Sequence, residues 1–197
     1  MINNYQNTII CASKYYNTDE IKKIYSLGIN DFGENRVDDL INKKKILNKL
    51  KITWHFIGKL QTNKIKKVIN EIDYLHSLEN IRQADFINKY RNQPLKCFIQ
   101  VNITEEEQKS GINIEKIDNF IKELKKYDKI QIVGFMTIGV NNDLIATENA
   151  FKSLQKLNEK YKFPYLSMGM TNDYLIAIKY GTTHLRLGSY FKKYLGG

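Results

Sequence analysis

Lys14 is the residue whose position in this sequence most clearly suggests chemistry. It follows a short apolar run, Thr8 to Ser13, at the point where a β-strand is expected to end and a loop to begin. In an α/β barrel the reacting groups lie at the carboxyl ends of the strands, so a lysine amine there could form a covalent bond to a carbonyl-bearing ligand. An ordinary solvated lysine is the commoner outcome at a strand end. Lys14 alone therefore leaves both interpretations open.

Small and hydroxyl-bearing residues follow the last two predicted strands. Gly169 and Gly188 offer backbone N–H groups that no bulky side chain covers, and Ser167, Thr171 and Ser189 add hydroxyls. A helix predicted to begin near Thr171 would add the positive end of its dipole. Together these features predict a phosphorylated ligand. Taken singly, each of these loops is more often an ordinary turn or a helix cap.

The elements that must position these residues recur along the whole chain. Short β-like runs alternate with amphipathic helices, which is the pattern of a parallel sheet. The third helix is the clearest, because its apolar residues Ile65, Val68, Ile69 and Ile72 fall at positions i, i+3, i+4 and i+7. The predicted strands are Thr8 to Lys14, Asp31 to Asn35, Trp54 to Ile57, Tyr74 to Ser77, Leu95 to Ile103, Ile130 to Ile138, Tyr165 to Met168 and His184 to Leu187.

Eight strands with seven intervening helices predict a closed (β/α)8 barrel, the TIM-barrel architecture. An open doubly wound sheet is less well supported, because Ser13 to Asn17 is not the glycine-rich dinucleotide turn that such a sheet usually carries after its first strand. A barrel brings residues from distant parts of the chain to one mouth. The residues predicted to line it are Lys14, Asn35, Met136, Ser167, Arg186, Gly188 and Ser189.

Length, charge and cysteine content restrict the class of protein. With 197 residues, a single domain over residues 1–197 is expected. The formal net charge is +10, but the lysines are spread over most predicted helices among acidic residues, which favours solvated helix faces over a nucleic-acid surface. The sequence has no apolar run of membrane-spanning length and no secretory signal, which predicts a cytoplasmic protein. Cys11 and Cys97 are expected to be reduced and buried.

Histidines and carboxylates near the predicted mouth have simple structural explanations. His55, His76 and His184 lie on or beside predicted strands without the spacing of metal ligands, so structural histidines are favoured over a zinc site. Glu34 and Asp173 lie near the mouth, where helix capping or salt bridging is favoured over general acid–base chemistry.

A series of short motifs spans nearly the whole chain, and the block from His55 to Lys64 is the most specific of them. The other motifs are Cys11-Ala12-Ser13-Lys14, Asp31-Phe32-Gly33-Glu34-Asn35, His76-Ser77, Gln100-Val101-Asn102-Ile103, Lys109-Ser110-Gly111, Gly134-Phe135-Met136, Leu166-Ser167-Met168-Gly169-Met170 and Arg186-Leu187-Gly188-Ser189. In content and order they resemble the pyridoxal phosphate homeostasis proteins of the YggS/PROSC type.

The resemblance implies a fold and a cofactor. The fold is a fold-type III, alanine-racemase-like barrel, and the cofactor is pyridoxal 5′-phosphate (PLP), held as an aldimine of Lys14. By the same resemblance, Ser167 and the backbone of Met168, Gly188 and Ser189 would hold the phosphate. These roles are what the family implies for residues of this sequence.

The resemblance also places Arg186 opposite the pyridine nitrogen and Asn35 beside the ring or its hydroxyl. A guanidinium does not readily give up a proton, so it makes the ring a weaker electron sink than a carboxylate would. The sequence offers no second proton-transfer residue that can be named. A non-catalytic PLP carrier in cofactor homeostasis is therefore expected, and a PLP-dependent amino-acid racemase or related enzyme is the alternative.

The implied partners are PLP and the PLP-dependent apoenzymes that would receive it. Specific nucleic acid, a membrane and a metal ion are not expected, and the chain is predicted to be a monomer or a weak homodimer. Relatives usually carry a helix and a loop before the first strand, whereas Met1 to Asn7 precede Thr8 here. The sequence thus predicts a shortened N-terminus and a gap in the helical ring beside the first and last strands.

Overall fold

A computed structural model of the chain describes residues 7–103 and 110–195. The strands are β1 (Thr8–Ala12), β2 (Asp31–Glu34), β3 (Thr53–Phe56), β4 (Tyr74–Leu78), β5 (Leu95–Asn102), β6 (Ile112–Asn113), β7 (Ile130–Met136), β8 (Tyr165–Ser167) and β9 (His184–Leu187). The α-helices are α1 (Thr18–Ser26), α2 (Val37–Ile46), α3 (Thr62–Val68), α4 (Ile81–Tyr90), α5 (Ile117–Leu124), α6 (Leu144–Tyr161) and α7 (Tyr174–Lys179). Short 3₁₀ helices cover Ser13–Tyr15, Ile114–Lys116 and Ser189–Tyr194.

Eight of these strands form one closed sheet. Their order is β4-β3-β2-β1-β9-β8-β7-β5, and β4 also pairs with β5, which closes the barrel. The described pairings are all parallel. The two-residue β6 pairs with the end of β5 and was not predicted. The predicted (β/α)8 barrel is confirmed.

The first strand ends earlier than the sequence predicted. It stops at Ala12, and Lys14 lies in the 3₁₀ turn Ser13–Tyr15 that follows. The helix predicted near Thr171 begins at Tyr174, so that boundary was also wrong. The eighth barrel strand, His184–Leu187, has the predicted bounds. The ends of strands and helices are hard to locate from sequence because the adjoining turns have similar residue types.

Two hydrophobic clusters pack on opposite sides of the strands. The larger cluster joins the helices to the barrel, and Cys97 and Ile99 of β5 belong to it. Between them, Phe98 belongs to a smaller cluster with Val133 and Met136. Because successive side chains of a strand point to opposite faces, the smaller cluster lies inside the barrel.

Helix α1 begins at a capping box directly after the turn that carries Lys14. The Asn17 side chain accepts hydrogen bonds from the backbone N–H groups of Asp19 and Glu20, both at 3.0 Å. In return, the Glu20 carboxylate accepts from the Asn17 N–H at 2.7 Å. This exchange satisfies donors that the first helical turn otherwise leaves open.

We expect Asn17→Ala to lower the free energy of unfolding by about 1 kcal/mol, because the cap is lost. Asn17→Asp retains a capping oxygen and should remain close to the wild type. Urea unfolding followed by circular dichroism measures both variants. Equal stability of all three proteins would contradict this account of the helix start.

Candidate functional site

A cavity of about 420 Å³ opens at the carboxyl-terminal rim of the barrel. Loops after several strands contribute to it, as the barrel topology requires. Of the residues predicted from the sequence, those that line it are Lys14, Asn35, Arg186, Gly188 and Ser189. Met136, Ser167 and Met168 are fully buried behind it and do not line it. The structure therefore brings five of the predicted residues to one cavity.

The turn that carries Lys14 is fixed by a buried ion pair beneath it. The Ser13 hydroxyl donates to Glu34 Oε1 at 2.8 Å, and Lys43 Nζ donates to the Ser13 carbonyl oxygen at 2.7 Å and also to Glu34. The Glu34 side chain is inaccessible to solvent and that of Lys43 is 14% exposed. Glu34 is thus a salt-bridge partner, which was the favoured alternative. Lys14 itself is exposed, and its Nζ lies 4.8 Å from the centre of the Tyr15 ring.

Hydrogen bonds also join the loops after β1, β8 and β9. The Tyr16 hydroxyl donates to the Gly188 carbonyl oxygen at 2.6 Å, and the Gly188 N–H donates to Thr171 Oγ1 at 3.1 Å. A Cβ atom at Gly188 would lie 2.5 Å from Cε2 of Tyr15, so a side chain there would require the Tyr15 ring to move. The lysine turn and the glycine turn therefore share one wall of the cavity.

Asp173 occupies the rim between β8 and α7. Its carboxylate accepts a hydrogen bond from the Met170 N–H in the preceding loop and makes no cap hydrogen bond to α7, so the expected helix cap is not formed. Burial raises the pKa of Asp173, while the Met170 hydrogen bond and the charge of Arg186 oppose the shift. This negative group stands on the same side of the cavity as Thr171.

Arg186 projects from β9 into the interior and reaches the cavity floor. Its side chain donates from Nη1 to Ser167 Oγ at 2.7 Å and from Nη2 to the Thr137 carbonyl oxygen at 2.9 Å. Arg186 is 5% exposed. Burial lowers the pKa of Arg186 to about 10, and the nearby Asp173 opposes the shift. The guanidinium is therefore still charged at neutral pH.

A row of buried polar side chains continues inward from Ser167. Ser167 Oγ lies 2.8 Å from His76 Nδ1, and His76 Nε2 lies 3.0 Å from His55 Nδ1. His55 Nε2 lies 2.9 Å from the carboxylate of Asp31. Burial, with the nearby His55, His184 and Arg186, holds the pKa of His76 well below 6.5. His76 is therefore neutral.

Sequence reasoning missed several cavity residues. Tyr15, Gly58 and Met170 line it, and none of them was predicted as a site residue. Gly58 could have been found from the sequence, since it directly follows a predicted strand. The structure explains the glycine, because a Cβ atom there would lie 2.5 Å from the Asn35 carbonyl oxygen. Lys59 also lines the cavity, and its side chain is 68% exposed. Lys109, part of one of the sequence motifs, lies outside the described residues.

Unpaired polar atoms test whether the cavity fits a polar ligand. Asn35 Oδ1 is buried without a hydrogen-bond partner among the described residues, and it belongs to a cavity-lining side chain. Buried polar atoms without partners are uncommon in a folded protein. An amine at Lys14, a guanidinium at Arg186 and an open acceptor at Asn35 therefore fit a compact, anionic ligand that also carries a hydrogen-bond donor.

Two other kinds of site receive no support from the described residues. No group of three or more histidine, cysteine, aspartate or glutamate side chains in residues 7–103 and 110–195 is arranged to hold a metal ion. Across the same residues, no helix has the length and apolar character needed to cross a bilayer.

Comparison with known proteins decides the family. The family model described as the N-terminal domain of alanine racemase matches residues 8–194. A pyridoxal phosphate homeostasis protein of Schizosaccharomyces pombe is 34% identical over 194 residues, which cover 92% of this chain and 81% of that protein. Another, of Haemophilus influenzae, is 36% identical over 202 residues, which cover 95% of this chain and 85% of that protein. The chain belongs to the pyridoxal phosphate homeostasis protein family. The resemblance seen in the sequence motifs is thereby confirmed.

Solved structures of the family share the barrel. PipY of Synechococcus elongatus, solved without PLP, is 28% identical and superimposes with a TM-score of 0.87 over 93% of this chain and 91% of that one. The PLP-bound form of PipY gives 0.83 over the same shares of the two chains. Alanine racemase of Corynebacterium glutamicum, 14% identical, gives 0.67 over 92% of this chain and 54% of that enzyme, which shows a common fold.

We expect Lys43→Met to lower the free energy of unfolding by about 3 kcal/mol, because it leaves the Glu34 carboxylate buried without its partner. Lys44→Met is the matched control. Lys44 pairs with Glu71 at 3.2 Å, but its side chain is 37% exposed, so its loss should cost less than about 1 kcal/mol. Urea unfolding measures both. Equal costs would show that the buried ion pair does not fix the lysine turn.

Proposed function

We propose that this protein binds PLP in the cavity at the carboxyl-terminal rim, with Lys14 as the covalent anchor, and that it serves intracellular PLP homeostasis as a carrier. The observation that carries the proposal is that Lys14 and Arg186 line one cavity, although Lys14 is near the start of the sequence and Arg186 near its end. The bound cofactor of PipY and the printed names of the relatives support it. When bound, PLP supplies an aldehyde that condenses with an amine and a conjugated ring that absorbs visible light.

Each protein group has a distinct part in holding this cofactor. Lys14 supplies the amine from a turn whose backbone is fixed by Ser13 and Lys43. Arg186 supplies donors at the floor, and Asn35 supplies the open acceptor. An arginine rather than a carboxylate at the floor favours holding the ring over strong carbanion chemistry.

The phosphate is assigned to the wall formed by the loops after β8 and β9. Thr171, Gly188 and Ser189 line the cavity there, and the Gly188 N–H, which donates to Thr171 Oγ1 in this structure, would turn to the phosphate when it binds. Ser167 and Met168, which the resemblance assigns to the phosphate, are buried and do not line this cavity, so their contacts with the phosphate stay predictions. Asp173 on the same side opposes an anion electrostatically, so the phosphate is expected on the Gly188 side of this wall.

The proposal predicts a single labelled lysine. Wild-type protein mixed with PLP should show a visible absorption band, and borohydride reduction followed by peptide mass spectrometry should place the label on Lys14. Lys59→Ala is the matched control, because Lys59 lines the same cavity, and it should be labelled as the wild type is. Lys14→Ala should lose the band. Equal labelling of many surface lysines, or a colourless wild type, would refute the proposal.

An amino-acid racemase is the alternative function, and Tyr15 gives it some basis. Tyr15 is 49% exposed and lines the cavity beside Lys14, so its phenol could reach a bound substrate. Racemisation requires a proton donor or acceptor on the face opposite the lysine, whereas the Tyr15 ring lies next to Lys14, with its centre 4.8 Å from Lys14 Nζ. We favour the carrier because Arg186 weakens the ring as an electron sink.

Proton exchange separates the carrier from the enzyme. The PLP-loaded protein incubated with L-alanine in D₂O should exchange the α-proton no faster than free PLP does, as followed by proton NMR. Saturable exchange above that level, lost in both Lys14→Ala and Tyr15→Phe, would instead establish an enzyme. The recipient apoenzymes, the oligomeric state and the cytoplasmic location stay predictions from the sequence.

A further inference from the structure

The buried polar side chains behind the cavity form one continuous chain of hydrogen bonds. It runs from Arg186 through Ser167, His76 and His55 to Asp31, with consecutive separations of 2.7, 2.8, 3.0 and 2.9 Å. His55, His76 and Ser167 are inaccessible to solvent. Asp31, in contrast, is 29% exposed and lines a second opening of about 430 Å³, together with Thr8, Thr183 and His184. The chain therefore joins the cavity floor to the other end of the barrel.

The chemistry of its two ends favours one order of the protons in this chain. As a carboxylate, Asp31 can only accept, so His55 donates from Nε2, and its Nδ1 stands opposite His76 Nε2 as the acceptor in this order. His76 must then donate from Nε2 to His55 and accept at Nδ1. Ser167 thus donates its hydroxyl proton to His76 and accepts from Arg186, which has donors alone.

In this order of protons each buried group has a hydrogen-bond partner, and the Ser167 hydroxyl cannot rotate without losing one. The hydroxyl proton is committed to His76, so the Ser167 lone pairs face Arg186. Arg186 uses one Nη1–H on Ser167 and one Nη2–H on Thr137. A guanidinium carries five N–H groups, so up to three remain. Because the group is planar and rigid, fixing two of its N–H groups also fixes the directions of the others.

We propose that His76 and His55 are positioning residues that act through Ser167 to hold the Arg186 guanidinium in a single orientation toward the cavity. The inference rests on the proposed function, since it assigns the orientation of Arg186 to the binding of PLP. It gives the two histidines a role beyond packing, although their rings also stack, His55 on Tyr74 and His76 on Phe98.

The tautomers of the two histidines test the chain without any cofactor. Long-range ¹H–¹⁵N NMR of the apo protein at neutral pH should show both His55 and His76 as neutral rings protonated at Nε2. Asp31→Ala removes the acceptor at the far end, so it should shift the ring signals of His76 as well as those of His55. Protonation at Nδ1 of either ring in the wild type, or a response confined to His55, would overturn the inference.

PLP titration tests the consequence for binding. His76→Phe keeps a ring against Phe98 but removes the acceptor of Ser167, so the dissociation constant should rise about three- to tenfold. His76→Asn returns an acceptor oxygen near the position of Nδ1 and should restore binding to within about twofold of the wild type. His184→Phe is the matched control, because His184 is buried in the same interior but bonds to Thr183.

The outcomes separate this inference from the proposed function. If the wild type forms no Lys14 adduct, the proposed function fails, and the tautomers still report on the hydrogen-bonded chain. If the wild type forms the adduct and His76→Phe binds PLP as tightly as the wild type does, the positioning role fails alone. Weakening by His184→Phe equal to that by His76→Phe would show a general loss of packing and would also overturn it.

Discussion

The burial of the Arg186 guanidinium is the constraint on which the rest of this structure depends. A charged group taken out of water is costly unless hydrogen bonds and nearby charge replace its hydration. Thr137 and Ser167 provide the hydrogen bonds, and Asp173 provides an opposing charge. Each polar partner placed inside the barrel needs a partner in its turn, which explains why polar rings and not aliphatic side chains follow Ser167 into the interior.

The strands separate this polar interior from the apolar packing outside. On β5, Cys97 and Ile99 pack with the helices, whereas Phe98 faces inward and stacks on His76 with ring centres 4.3 Å apart. An aromatic neighbour covers the flat face of the imidazole and leaves its two edge nitrogens for hydrogen bonds. The interior can therefore be densely packed and hydrogen-bonded at once. This combination suits a site that must keep a charge in a fixed place.

The sequence predicted the barrel because alternation of apolar and polar residues is local information. Ile65 and Val68, for example, reveal a helix face without knowledge of the rest of the fold. The cavity residues Lys14 and Arg186 were predictable from strand ends and motifs. The hydrogen-bonded chain was not, because it joins residues from strands β2, β3, β4, β8 and β9, and their contact depends on strand register and side-chain direction. Considered singly, each histidine has only a structural explanation.

Among the residues that the structure describes, two lysines line the cavity, and they differ in the backbone that carries them. Lys59 extends from a loop, with Glu79 at 4.0 Å as its ion-pair partner. Lys14 belongs to a turn held from below by Ser13 and from the side by Tyr16, whose hydroxyl reaches the loop after β9. A covalent anchor must give up the freedom of its own segment when it binds, and a turn that is already fixed loses less entropy. Pre-organisation of the turn, more than exposure of the amine, therefore favours Lys14 over Lys59.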